Sequence, residues 1–341
     1  MRRSLSTFHS YRRFCTYALT LLLVLTVATS APALQSETKS QATDSSAALK
    51  KRLPESVEDL KAVEDAIQKH REQMLKATVA VVIGSSQGSG VVISKDGYIM
   101  TAAHVIGRRG LKATVWFPDG TVARAETLGT QHDSDAGVLR IVDDGEWPYC
   151  KMAPSDSYEV GDWCIATGHP GGRREGRPPV LRIGRINNIT NEMIRTDATL
   201  VGGDSGGPLF DMQGRVIGIN SRIGVSTSWN LHVPVNIYDE NWESLSSPAG
   251  FLGVGGDPYN RNGPCSLTSV KPGSPAAEAG FRVRDVVKSF DGKPVKNFRE
   301  LVEIVSQYPP DVAIKVEIQR NNKLIELEVT LARRDPYRDT R

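Results

Sequence analysis

The chain has 341 residues, 39% of them hydrophobic and 24% charged, with a formal net charge of +3. That length suits about two domains with separate cores, and the composition excludes a collagen-like chain, a wholly disordered chain and a disulfide-dense miniprotein. The positive excess is local: residues 1–33 hold Arg2, Arg3, Arg12 and Arg13 and no acid, which leaves −1 for the rest. A near-neutral body offers no electrostatic footprint for nucleic acid or an anionic membrane, so nucleic-acid binding is set aside.

The N-terminus reads as an export signal. The four arginines precede an uncharged apolar run from Phe14 to Ala28 and then the small residues Ala31-Pro32-Ala33. This is the order of basic, apolar and small-residue regions in a secretory signal. The run is short against the roughly 20 apolar residues of a membrane-spanning helix. Residues 1–33 are thus expected to be a signal peptide, with an uncleaved anchor or an organellar transit peptide as the alternatives. Either export reading puts the protein in the periplasm or another extracytoplasmic space.

Residues 34–53, rich in Ser, Thr, Gln, Ala and Lys, read as a flexible spacer. Residues 54–76 then predict an amphipathic helix over Ser56–Lys76. Ser56 and Asp59 resemble a capping box, and Glu58 and Asp59 suit the helix dipole. Val57, Leu60, Val63, Ile67 and Leu75 recur at helical spacing, a face for the body of the protein or for another subunit.

From Thr78 the texture becomes short β-rich runs: Thr78–Ile83, Gly90–Ile93, Tyr98–Thr101, Ala113–Phe117, Val138–Val142, Trp163–Thr167 and Val216–Asn220. Turn pairs such as Asp96-Gly97 and Asp119-Gly120 separate them, which predicts an all-β barrel or sandwich over 77–245. A second module follows Ser246-Ser247-Pro248 and spans 249–333. It has strands at Phe251–Val254, Cys265–Val270, Asp285–Phe290, Ala313–Ile318 and Leu324–Leu331, and helices at Ser274–Ala279 and Asn297–Gln307, a small α+β pattern. Residues 334–341 read as a tail, and no internal repeat is evident. Outside the signal, Cys150 and Cys164 flank a turn-rich segment, either bridged or as two buried thiols. No Cys or His pair has metal-ligand spacing, and no cofactor is implied.

The chemistry concentrates in three segments. Gly202-Gly203-Asp204-Ser205-Gly206-Gly207-Pro208-Leu209 places a serine between paired glycines, which permit unusual backbone angles and close approach of a substrate carbonyl. Thr101-Ala102-Ala103-His104-Val105 sets a histidine after small residues at a strand end, where it can act as a general base. Asp135 opens the apolar strand of Ala136-Gly137-Val138-Leu139-Arg140-Ile141, from where a carboxylate can hold a histidine's other ring nitrogen. Singly, these are a Gly-rich turn, a buried histidine and a turn cap. Together they stand in the order His, Asp, Ser at intervals of 31 and 70 residues, a coincidence that points to catalysis.

These segments resemble those of trypsin-like serine proteases, and the arrangement is similar to the HtrA/Deg branch. Gly88-Ser89-Gly90, Gly161-Asp162-Trp163, Arg195-Thr196-Asp197-Ala198, Val216-Ile217-Gly218-Ile219-Asn220-Ser221 and His232-Val233-Pro234-Val235-Asn236 extend the likeness. The resemblance implies a mainly β protein: a double β-barrel protease domain followed by a small α+β domain. It makes His104 the general base, Asp135 its orienting partner and Ser205 the nucleophile. Asp133 is the rival acid, but only Asp135 directly precedes the strand. The N–H groups of Gly203 and Ser205 would form the oxyanion hole. Thr199, Leu200 and Ile219 are expected at the pocket for the residue before the cut. Thr199 stands six residues before the serine, where enzymes that cut after Arg or Lys carry an acid. An uncharged pocket cannot compensate a desolvated cation, so cleavage is expected after small or medium apolar residues.

Two departures stand out. Asp204 occupies a position where HtrA proteins usually carry Asn. The loop Gly168-His169-Pro170-Gly171-Gly172-Arg173-Arg174-Glu175-Gly176-Arg177 is basic where the branch is apolar, and reads as a solvated loop with His169, like His132, at the surface. The second module resembles a PDZ domain through Gly250-Phe251-Leu252-Gly253-Val254-Gly255, whose Leu252, Gly253 and Val254 amides would capture a C-terminal carboxylate. The expected protein is an exported endopeptidase acting on unfolded polypeptides, with C-terminal peptides as PDZ partners and assembly as a homo-oligomer, a trimer by the resemblance. The alternatives are a narrow-target regulatory protease and a peptide-binding or chaperone scaffold with a latent site.

Overall fold

The computed structural model describes residues 47–224, 229–260 and 262–337; the export-signal segment and most of the spacer lie outside the described residues. Helix α1 spans Val57–Ala77. Ser56 Oγ accepts the Asp59 N–H at 3.1 Å and the Asp59 carboxylate accepts the Ser56 N–H at 3.2 Å, a reciprocal cap. The apolar face differs from the expected one. Val63, Met74 and Ala77 are buried, with Ala66 and Ile67 packed beside them, whereas Val57 and Leu60 are 61% and 54% exposed. The helix meets its own chain from Val63 onward, along the stripe Val63-Ala66-Ile67-Met74-Ala77. Met74→Ala is expected to cost about 2–5 kcal/mol of stability, the usual range for emptying a buried methionine site, measured by urea unfolding.

Six strands close a first barrel: β1 (Thr78–Ile83), β2 (Ser86–Val92), β3 (Tyr98–Ala102), β4 (Lys112–Trp116), β5 (Val122–Gln131) and β6 (Ala136–Ile141), in the order β1-β2-β3-β6-β5-β4. A one-turn helix, α2 (Ala103–Ile106), follows β3. Six more close a second: β7 (Trp163–Gly168), β8 (Val180–Ile189), β9 (Ile194–Thr196), β10 (Pro208–Phe210), β11 (Val216–Ile223) and β12 (Asn230–Pro234), in the order β10-β11-β12-β9-β8-β7. The two rings share one strand order, a repeat of architecture without a visible repeat of sequence. Val79, Val81, Val92, Ile99 and Leu139 fill the first barrel. A second cluster, with Ile165, Phe210 and Ile219, fills the other barrel and reaches Met100 and Val138 of the first. The site lies where the barrels meet.

Two short helices, α3 (Val235–Glu240) and α4 (Trp242–Ser246), lead out of the second barrel. Beyond them come β13 (Gly250–Phe251), β14 (Val254–Gly256), β15 (Cys265–Val270), α5 (Pro275–Glu278), β16 (Val286–Phe290), β17 (Lys293–Pro294), α6 (Phe298–Val305), β18 (Ala313–Arg320), β19 (Lys323–Thr330) and β20 (Ala332–Arg333). Their sheet runs β14-β15-β16-β18-β19 around a core that includes Phe290, Leu301 and Val316. Residues 334–337, expected within a tail, instead return to the first barrel. Tyr337 donates its hydroxyl to the carbonyls of Ala113 and Ala125, and Arg333 pairs with buried Glu126 at 2.7 Å. Cys150 and Cys164 are separate buried thiols rather than a bridge. Cys150 Sγ donates instead to the Gln73 carbonyl of α1 at 3.7 Å.

Candidate active site

His104 lies in α2, and Asp135 in the turn that opens β6. The pairing of Ala102 with Ala136 carries the two segments side by side, and the Ala103 N–H donates to the Asp135 carbonyl at 2.9 Å. Asp135 adopts φ 61°, a left-handed conformation that aspartate tolerates better than most residues. Its carboxylate reaches His104 Nδ1 at 3.0 and 2.9 Å and also accepts the His104 N–H at 3.0 Å. A carboxylate only accepts, so Nδ1 carries a proton, and in the neutral form of the ring Nε2 is then the acceptor. Burial, the largest single influence, pushes the Asp135 carboxyl up. The bonds from the His104 ring, the Ser221 hydroxyl and the His104 N–H outweigh it, and the group lies below its ordinary value.

Ser205 sits in the turn before β10. Its hydroxyl lies 3.5 Å from the Ser221 carbonyl on β11, and the Ser221 hydroxyl donates to Asp135 Oδ2 at 2.5 Å. Ser221 thereby ties the serine turn to the carboxylate that holds His104. It closes the segment Val216-Ile217-Gly218-Ile219-Asn220-Ser221, and nothing in the sequence marks this role. Asp133 is exposed and outside this network.

The turn around Ser205 is fixed through its carbonyls. The Gly202 carbonyl accepts the Gly171 N–H at 2.5 Å, and the Asp204 carbonyl accepts the Gly207 N–H at 2.9 Å and Asn220 Nδ2 at 3.2 Å. In a trans peptide the N–H points opposite to the C=O. The N–H groups of Gly203 and Ser205 therefore face away from these anchors. Among the described residues neither donates to a backbone carbonyl. Where two such amides converge beside a hydroxyl, they can stabilise a developing oxyanion. Gly203 has φ 95°, and a Cβ there would stand 2.4 Å from the His169 carbonyl oxygen and the Gly172 nitrogen. Only glycine fits.

His169 is not at the surface. It is 3% exposed, its N–H donates to Ser89 Oγ at 2.9 Å, and Ser89 Oγ donates in turn to the Gly203 carbonyl at 2.8 Å. Burial and the Arg177 charge lower it to about 4, so the ring is neutral at ordinary pH. The basic loop also differs from a solvated one: Arg173 stacks on Trp116 at 3.5 Å, and Arg177 donates to the carbonyls of Pro170 and Gly172.

The residues expected at the specificity pocket differ in exposure. Thr199 is exposed, while Leu200 and Ile219 are 5% and 0% exposed in the second-barrel core. A cleft of about 470 Å³ instead has Gln131, Asp133, Glu192, Ser221, Arg222 and Leu231 among its lining residues.

A second candidate site is a groove of about 300 Å³ between the segment Gly250–Gly256 and α6, where Leu252, Gly253 and Val254 face Phe298, Val302 and Val305. The Leu252 carbonyl accepts the Ala276 N–H and the Gly253 carbonyl accepts the Lys271 N–H, each at 2.9 Å. As at Ser205, the amides that follow the pinned carbonyls face away from these anchors. Strand β14 is the edge of its sheet, with its second side open to an added strand.

Residues 88–219 match the family model of a trypsin-like peptidase domain, and residues 250–331 that of a PDZ domain. The chain is 32% identical over 268 residues to a probable periplasmic serine endoprotease DegP-like of Pseudomonas fulva (strain 12-X), covering 72% of this chain and 56% of that protein. It is 31% identical over 269 residues to the periplasmic pH-dependent serine endoprotease DegQ of Escherichia coli (strain K12), covering 72% and 59%. The solved serine endoprotease from Yersinia pestis aligns over 80% of this chain and 98% of its own, at 25% identity and a TM-score of 0.47. The chain spans a little over half the length of the curated relatives it matches. It belongs to the HtrA/Deg-type proteins, in which a trypsin-like peptidase domain is followed by a PDZ domain.

Proposed function

We propose that this protein is an extracytoplasmic serine endopeptidase that hydrolyses peptide bonds of unfolded polypeptides, with its PDZ domain binding C-terminal peptides. One observation carries the reading: Asp135 holds both His104 and Ser221, while the Ser205 turn presents two amides fixed from behind. In the proposed cycle, Ser205 Oγ attacks the scissile carbonyl and passes its proton to His104 Nε2. Asp135 stabilises the imidazolium, and the Gly203 and Ser205 amides receive the oxyanion. His104 then protonates the leaving amine, and water, activated by the same ring, releases the acyl group. The residue before the cut would meet Thr199 and Leu200, both uncharged, which favours small or medium apolar residues over Arg or Lys. The periplasmic names of the relatives support the location. No helix of the described residues is long and apolar enough to cross a membrane.

The test is cleavage of an unfolded model protein by the purified chain, together with labelling of Ser205 by a fluorophosphonate. Both should occur. A folded protein that binds C-terminal peptides yet neither cleaves nor labels would make it a peptide-binding scaffold. At the PDZ groove, Val302→Asp is expected to weaken binding of a peptide with an apolar C-terminal residue. Loss of the roughly 1.5–3 kcal/mol of a buried apolar contact corresponds to at least about tenfold in Kd, read by calorimetric titration.

A further inference from the structure

Asp204, directly before Ser205, is fully buried as a carboxylate. Its Oδ2 accepts Arg182 Nη1 at 2.8 Å and the Val201 N–H at 2.9 Å. Its Oδ1 has no partner among the described residues and lies against Gly168, where a Cβ would approach it to 2.7 Å. Arg182 comes from β8, opposite Ala166 of β7, with its side chain 18% exposed. Burial raises the Asp204 carboxyl, and the Val201 N–H and the Arg182 charge oppose that rise. Arg177 also opposes the rise from a distance, but among the described residues Arg182 is the one cation bonded to the carboxylate, so the balance rests chiefly on Arg182. Removing one partner of such a pair leaves a charge that must neutralise or move toward water.

Movement has a consequence at this position. The backbone of Asp204 is the turn that aims the Ser205 amide, with its carbonyl held by Gly207 and Asn220 and its N–H donating to the Val201 carbonyl at 3.1 Å. A carboxylate that rotates outward gives up the Val201 N–H and pulls the Gly203–Ser205 peptides off their anchors. We propose that Arg182 is a positioning residue for the oxyanion turn, the internal counter-charge that keeps Asp204 seated and the Gly203 and Ser205 amides aimed at the reacting carbonyl. The proposal rests on the reading of Ser205 as nucleophile, and it gives Arg182 a role that acts through Asp204 rather than on the substrate.

The test compares the wild-type chain with Arg182→Met and with Arg182→Met/Asp204→Asn. In Arg182→Met kcat should fall by about 100-fold with KM nearly unchanged, the signature of a lost oxyanion donor. A purely structural role would lower the folded fraction and leave the kcat per active site, counted by fluorophosphonate titration, unchanged. The double variant buries no charge and should return to within about tenfold of wild type, because the turn no longer has a charge to relieve. A folded Arg182→Met with wild-type kcat overturns the proposal. So does a folded double variant without recovered activity, which decides the matter even where Arg182→Met does not fold. If the wild-type chain itself does not cleave, crystal structures of wild type and the single variant separate the two claims. A turned Gly202–Gly203 peptide in Arg182→Met then upholds the positioning role while the protease reading falls, and an unmoved peptide overturns both.

Discussion

Replacing Ser205 by alanine is expected to lower kcat for peptide hydrolysis by about a millionfold, the loss seen when a triad nucleophile is removed from an otherwise intact site. The size of the effect follows from what remains. His104 keeps its carboxylate partner and the Gly203 and Ser205 amides keep their anchors, since none of those bonds passes through Ser205 Oγ. Among the described residues the serine hydroxyl accepts no bond and makes only the 3.5 Å contact to the Ser221 carbonyl, so its loss should leave the fold and substrate binding nearly untouched. Residual catalysis over water, about 10³–10⁴-fold, would come from the amides and from binding alone. The measurement is single-turnover cleavage by Ser205→Ala under conditions in which the wild type turns over, with binding followed separately. A variant within a factor of about ten of wild type would show that the bond is broken by another group, and the proposed chemistry would fall.

The parts of this site that were legible in the sequence are those whose signal is local. Paired glycines around Ser205, small residues before His104 and an acid opening an apolar strand each reflect a backbone requirement met within a few residues. The α1 cap was legible for the same reason, because Ser56 and Asp59 satisfy each other within one turn. The helix face was not, since which of Val57, Leu60 and Val63 is covered depends on where a barrel built more than 80 residues later ends. Strand β8 escaped notice because Arg182 and Arg185 interrupt its apolar residues. Arg182 is matched by a carboxylate across the barrel, and Arg185 stacks on Trp163. His169 misled because histidine in a Gly-Pro-Gly loop suggests solvent, yet its neighbour Ser89 lies 80 residues earlier. Ser221 and Asn220 belong to the same class. Both are ordinary polar residues on a strand, and their partners, Asp135 and the Asp204 carbonyl, appear only once the barrels close.

Asp135→Asn is expected to lower kcat/KM by about 10⁴-fold while leaving the fold intact. The carboxylate accepts three donors: the His104 N–H, His104 Nδ1–H and the Ser221 hydroxyl. An amide offers one acceptor oxygen and one NH₂ in the same space. If the NH₂ faces Nδ1, that nitrogen must become the acceptor, the proton moves to Nε2, and the ring can no longer take the proton of Ser205. If the NH₂ faces Ser221, a donor meets a donor, and the hydroxyl must swing away from the link to the serine turn. Either way the neutral side chain cannot stabilise the imidazolium. The wild-type carboxyl is held below its ordinary value, so it stays ionised across the neutral range and its own titration does not shape activity there. By linkage, the stability it contributes is present above its ordinary pKa and is lost as the pH falls through the depressed folded value. Asp135→Asn should therefore lack that share of the acid-side loss in Tm. Asp133→Asn serves as the control, since Asp133 is exposed and holds neither His104 nor Ser221; its kcat/KM should remain within about twofold of wild type. The reverse pattern, with Asp133→Asn inactive and Asp135→Asn active, would reassign the acid.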